Sequence, residues 1–202
     1  MKKKSKNSSG KSDIGLELRR QLVHFSGIFS VLIILFTERE TATVMLGGIL
    51  LLLLAMSFYR AKHTFDNGWL ETFVLKRERR GAFPLSGAVF FFFGTFCAFL
   101  LYTPIYSAAA TAVLAFGDST STIAGKLWGR HKLPLNKNKS WEGSAAFFLF
   151  SFIALLFFVQ PQKALAVAAL TTIVEMLPRV DDNFTVPIAA GLFLTLLSRT
   201  TF

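Results

Sequence analysis

The sequence predicts an all-α fold: a polytopic membrane helix bundle of about seven transmembrane helices with the N-terminus inside. Three observations predict it. First, 52% of the 202 residues are hydrophobic, 23 are phenylalanine and only 17% are charged, and the mean hydropathy is +0.50; a soluble domain is rarely so apolar. Second, the apolar residues gather in runs near 16–36, 41–58, 84–102, 104–127, 143–159, 163–178 and 182–198. Third, if every run crosses, all of the 22 lysines and arginines except Arg39, Lys163 and Arg199 fall on one side. Positive charge favours the cytoplasmic face, which sets the orientation. The net charge of +10 sits between apolar runs, so it points to lipid headgroups or phosphates and not to nucleic acid.

Residues 1–15 (MKKKSKNSSGKSDIG) lack apolar anchors and are expected to form a disordered basic tail. Residues 16–202 read as one integral membrane domain. Its first run leads into Glu38, Arg39 and Glu40 without a small-residue cleavage site, so it is read as a retained segment and not a signal peptide. Several runs are shorter than the roughly 20 residues that cross about 30 Å of hydrocarbon, so their helices are expected to extend into polar flanks. In the connection 59–83, Trp69, Leu70, Phe73 and Val74 share a helical face ahead of Lys76, Arg77, Arg79 and Arg80. That pattern fits an amphipathic interfacial helix, or equally a solvated basic loop. Cys97, the lone cysteine, reads as a small buried hydrophobe.

The fourth run carries the first chemical signal. From Pro104 to Phe116 a helix would be about 20 Å long, too short to cross, whereas continuing to Leu127 gives about 36 Å. Asp118 would then lie inside the bundle, and an intramembrane carboxylate is by default a functional one. The alternative is a hydrogen bond to Ser119 or Thr122.

Asp118 opens the densest polar stretch, 117–143, GDSTSTIAGKLWGRHKLPLNKNKSWEG. Gly125 and Gly129 are read as supplying backbone freedom. Lys126, Arg130, Lys132, Lys137 and Lys139 supply cations, and Ser140 is an N-cap for a helix opening on Glu142. The topology brings Glu142, Glu175, Asp181 and Asp182 to the same end as Asp118, with Arg19, Arg20 and His24 at that face too. Taken singly, Glu142, Asp181 or Asp182 could merely complement a helix N-terminus. Together, the carboxylates suit magnesium, which takes oxygen ligands from one or two acids plus substrate phosphates. The loop cations and the helix start suit the phosphates themselves.

The run Gly117–Asp118, Gly125, Gly129–Arg130–His131–Lys132 and Lys139–Ser140–Trp141–Glu142–Gly143 resembles the CTP-dependent lipid-alcohol kinase family of dolichol, phytol and diacylglycerol kinases. Two further stretches match: Glu17–Phe25, and Glu175–Pro178 leading into Asp181–Asp182–Asn183–Phe184–Thr185–Val186–Pro187. The central run is also similar to phosphatidate cytidylyltransferase, but the Pro-Gly-His-Gly-Gly stretch of that enzyme's C-terminal signature is absent.

The resemblance implies a multi-pass enzyme that moves the γ-phosphoryl group of CTP to a lipid alcohol at the cytoplasmic face. Asp118 would be the central Mg²⁺ ligand, with Asp181 and Asp182 as further ligands. Lys126, Arg130, His131, Lys132, Lys139 and Ser140 would bind the nucleotide, and Glu142 would orient Lys139 or the metal. Either Asp118 or Asp182 would take the hydroxyl proton. Arg19, Arg20, His24, Glu175 and Asn183 are secondary candidates. The competing readings are a CDP-lipid synthase and a small transporter.

Overall fold

The computed structural model describes residues 27–62, 85–177 and 181–199. Arg19, Arg20, His24 and most of the 59–83 connection lie outside them. Among the described residues the regular structure is helical: α1 (Ile28–Phe36), α2 (Arg39–Lys62), α3 (Ser86–Leu101), α4 (Pro104–Ala112), a π-helical turn (Val113–Asp118), α5 (Ser119–Leu127), α6 (Trp141–Leu155), α7 (Pro161–Met176) and α8 (Asp182–Ser198). The expected run 104–127 is one continuous helical path, as its length required. Its middle widens into the π turn. Pro104 and Pro161 each open a helix at its first turn, where the missing N–H has no partner to lose.

The expected extension into polar flanks is clearest in α2, which begins at Arg39 and ends beyond Arg60 at Lys62. Those basic residues therefore belong to a helix end and not to the following connection. Among the described residues, α2 is the one single helix long and apolar enough to cross a membrane.

The centre of the bundle is α4. Every residue from Ser107 to Ala115 is buried, and four of the six between Ser107 and Ala112 are alanine. Small side chains let α1, α3, α6 and α8 all pack closely on this one helix. Ala109, Ala110 and Val113 face a core with Phe147, Val167, Val186 and Ala190. Ala108 and Ala112 face a second core with Val31, Ile34, Leu46 and Phe99. Threonine hydroxyls at 43, 111, 120, 171, 172 and 195 each donate to the carbonyl four residues earlier. That satisfies a polar group within its own helix.

Helices α3 and α8 run side by side in the same direction. A Cβ on Gly94 would stand 2.2 Å from the Asn183 carbonyl oxygen, and one on Gly191 would stand 2.1 Å from the Tyr102 ring. The Tyr102 hydroxyl donates to the Ile188 carbonyl at 2.8 Å, closing the seam between them. Both helices therefore start at the end of the bundle where α7 finishes and α6 begins. The acids converge there.

Candidate functional site

Four elements bring charged side chains to this end. The π turn delivers Asp118, the hairpin before α6 delivers Lys139, the last turn of α7 delivers Glu175, and the first turn of α8 delivers Asp182. The Lys139 ammonium lies 2.5 Å from Glu175 Oε1 and 2.6 Å from Asp182 Oδ2. Glu175 is fully buried. Its carboxylate also accepts from Ser121 Oγ and Ser144 Oγ, both at 2.9 Å. A buried carboxylate is tolerated when each oxygen has donors, and here α5, α6 and the hairpin each supply one. Burial disfavours the charge on Lys139, but the carboxylates of Asp118, Asp182 and Glu175 outweigh it and hold the pKa above the ordinary lysine value.

Asp118 is 8% exposed, and among the described residues its carboxylate has no hydrogen-bond or ion-pair partner. The expected alternative, a bond to Ser119 or Thr122, is not seen among the described residues, where Ser119 Oγ is itself buried without a partner. The buried Oδ1 of Asn183, beside Asp182, is likewise unpartnered among the described residues. π turns recur at functional sites in helices, and this one ends on the acid.

The hairpin that carries Lys139 is closed by backbone bonds from Leu133 N–H to the Lys139 carbonyl (3.2 Å) and from Trp141 N–H to the His131 carbonyl (3.0 Å). Its base is pinned by Glu142. That carboxylate accepts from the backbone N–H groups of Arg130 and His131 at 3.2 Å, and His131 Nδ1 lies 2.7 Å from it. Its own backbone N–H, the His131 ring and those two backbone donors hold the Glu142 carboxyl down at about 2. Glu142 was expected to orient Lys139 or a metal. Glu142 instead anchors the loop, and Lys139 pairs with Glu175 and not with Glu142.

The other expected residues are placed as follows. Asp181 Oδ1 accepts from Asn183 N–H at 3.0 Å, so this residue caps α8 and is exposed. Ser140 is the expected N-cap, accepting from Gly143 N–H at 3.2 Å, and it is buried, 2% exposed. Lys126, Arg130, His131 and Lys132 lie on the exposed face of α5 and the hairpin. Gly129 does not serve backbone freedom, since its φ is not left-handed. A Cβ there would stand 2.1 Å from the Gly125 carbonyl oxygen and 2.6 Å from Ser140 Oγ, so glycine permits close approach. Ser121 and Ser144 were not singled out from the sequence. The only hint was a serine in each stretch flanking the hairpin.

The donor set is chemically suited to a hard divalent cation: carboxylate oxygens from Asp118 and Asp182, with no nitrogen or sulfur ligand. Among the described residues no three His, Cys, Asp or Glu side chains are grouped to hold an ion on their own, so phosphate oxygens would have to complete the coordination.

Fold and site together define a class: a helical bundle with a cluster of buried and half-buried carboxylates gathered on one lysine of a cationic hairpin. Comparison with known proteins narrows the class. The chain is 31% identical over 134 residues to phytol kinase 1, chloroplastic, of Arabidopsis thaliana, covering 56% of this chain and 44% of that one. It is 31% identical over 105 residues to the phytol kinase of Synechocystis sp., covering 46% and 45%. It is 28% identical over 162 residues to farnesol kinase, chloroplastic, of Arabidopsis thaliana, covering 70% and 50%. The chain is thus similar in sequence to phytol and farnesol kinases over part of its length. It spans half or less of the length of these three relatives. No protein-family model matches the sequence, and no solved structure matches it.

Proposed function

We propose that this protein is a multi-pass membrane kinase that transfers the γ-phosphoryl group of CTP to a long-chain lipid alcohol at the cytoplasmic face. The observation that carries the reading is the ion-paired Lys139, held by Glu175 and Asp182 under a cationic hairpin. Kinship with phytol and farnesol kinases supports an alcohol acceptor, and the motif resemblance supports CTP as donor. Exposed outward side chains such as Phe29, Phe36, Leu51 and Phe157 suit contact with lipid. The continuous path 104–127, about 36 Å long, suits a full crossing.

Phosphoryl transfer depends chiefly on positioning and on offsetting charge. Lys139, Arg130 and Lys132 would bind the triphosphate, with Lys126 beside them. Asp118 and Asp182 would hold the Mg²⁺ that offsets phosphate charge when bound. The alcohol oxygen bonds to the γ-phosphorus as the bond to the β–γ bridging oxygen breaks, and the hydroxyl proton passes to Asp118 or Asp182. An acceptor arriving sideways from the bilayer keeps its tail in the apolar phase, which avoids about 0.8 kcal/mol per hydrated CH₂.

Purified protein given Mg²⁺, phytol, farnesol, a polyprenol or diacylglycerol, and CTP labelled at either phosphate, tests the reading. Label from the γ position should enter lipid. Label from the α position would instead make it a CDP-lipid synthase, and label from neither would remove the transferase reading.

A further inference from the structure

Glu175 and Asp182 hold the same ammonium in different ways. Glu175 is fully buried and its oxygens are shared among Lys139, Ser121 and Ser144. Withdrawing Lys139 from it would leave a buried charge without its counter-ion, which is strongly unfavourable. Asp182 lies at the rim with its side chain 21% exposed. Water or another cation can replace the ammonium there. Asp118 has no direct partner among the described residues, although its charge acts on Lys139. Three carboxylates therefore stand around one ammonium, a net of two negative charges.

A free divalent cation approaching these acids would meet the lysine already in place, which weakens their pull on it, and among the described residues no three acidic side chains are grouped to hold an ion on their own. A cation arriving with a polyphosphate brings its own negative charge, which can draw the ammonium off Asp182 while Glu175 keeps hold of it. Resting on the phosphoryl-transfer reading above, we infer that Lys139 is a resident counter-ion. Tethered to Glu175, it stays among the carboxylates until a divalent cation arrives with its nucleotide, then exchanges Asp182 for the nucleotide's phosphates. Binding of the cation is thereby conditional on the nucleotide, and Glu175 is a positioning residue that acts through Lys139.

The test is Mn²⁺ binding to the purified full chain without nucleotide, counting free ions by electron paramagnetic resonance. Lys139→Met should bind Mn²⁺ at least tenfold more tightly than the unaltered protein, and Lys139→Arg should bind as weakly as the unaltered protein. Lys139→Met leaves Glu175 buried and unpaired, so the double variant Lys139→Met/Glu175→Gln serves if the single one does not fold, as judged by circular dichroism. It should show the same gain through Asp118 and Asp182. A folded variant lacking the lysine that binds Mn²⁺ no better than the unaltered protein would overturn the inference. So would Lys139→Arg binding as tightly as Lys139→Met. Neither acceptor nor phosphoryl transfer enters this measurement. A chain that gains Mn²⁺ affinity on losing Lys139 yet labels no lipid keeps the counter-ion and loses the kinase.

Discussion

Glu175→Gln isolates the buried half of the ion-pair cluster. The substitution keeps shape but removes the charge that faces Lys139, Ser121 and Ser144. Hydrogen bonds to a charged group contribute about 1.5–3 kcal/mol, and removing one partner of a buried pair costs about 3–5 kcal/mol. Lys139 retains Asp182 at 2.6 Å, and its side chain is 20% exposed, so the loss falls below that second range, at about 2 kcal/mol. For a chain of this size that lowers the Tm by roughly 5 °C. Thermal unfolding of the purified protein, followed by helical circular dichroism, measures it. A double-mutant cycle with Lys139→Met should give a coupling of about 1–2 kcal/mol. If Glu175→Gln unfolds within 1 °C of the unaltered protein, or its effect simply adds to that of Lys139→Met, the pairing described for the site is wrong.

The other expectations are simpler. Asp118→Asn should abolish lipid labelling while shifting stability by less than about 1 kcal/mol, since the carboxylate has no hydrogen bond to lose among the described residues; near-normal turnover would remove Asp118 from the chemistry. Gly117→Ala should cost about 1–3 kcal/mol by overpacking, because its Cβ would stand 2.4 Å from Ser151 Oγ and 2.9 Å from the Phe147 ring; thermal unfolding reads this. Glu142 has a folded pKa of about 2 against an ordinary 4.5. Its contribution is present above the ordinary value and lost as pH falls from about 4.5 towards 2. Hydrogen exchange of the Arg130 and His131 amides should therefore be unchanged from pH 7 to pH 5 once the intrinsic rate is allowed for, and Glu142→Gln should raise it throughout.

Much of this architecture was legible because each helix leaves a run of apolar residues bounded by polar ones. The helix 104–127 could be placed from its length alone, and the starts of α6 and α8 from Ser140 and Asp181, which do cap them. The convergence of Asp118, Glu175 and Asp182 on one end of the bundle was expected from the alternating direction of successive apolar runs. The partners within the site were less legible. Glu142 and Glu175 are both acids near the same helix ends. Which of them meets Lys139 depends on the direction of the hairpin, set by close contacts at Gly129 and Ser140 that leave no local trace. Ser121 and Ser144 were missed for a related reason: a serine in a small-residue helix reads as a packing residue until a buried carboxylate is seen opposite it. The π turn was invisible too, since nothing in VLAFGD distinguishes it from ordinary helix.

That turn has a consequence for how the site is specified. An α-helix advances by about 100° per residue, and a widened turn accommodates surplus chain without breaking the helix. The azimuth of Asp118 relative to the alanines of α4 is therefore set by a count of residues as much as by their identity. Removing Leu114 would let the strand of backbone rewind to its usual pitch and swing everything downstream, acid and hairpin together, about a quarter-turn away from Glu175 and Asp182. Exchanging Leu114 for another apolar residue would leave that bearing intact. Chain length over a single turn thus sets the aim of the acid.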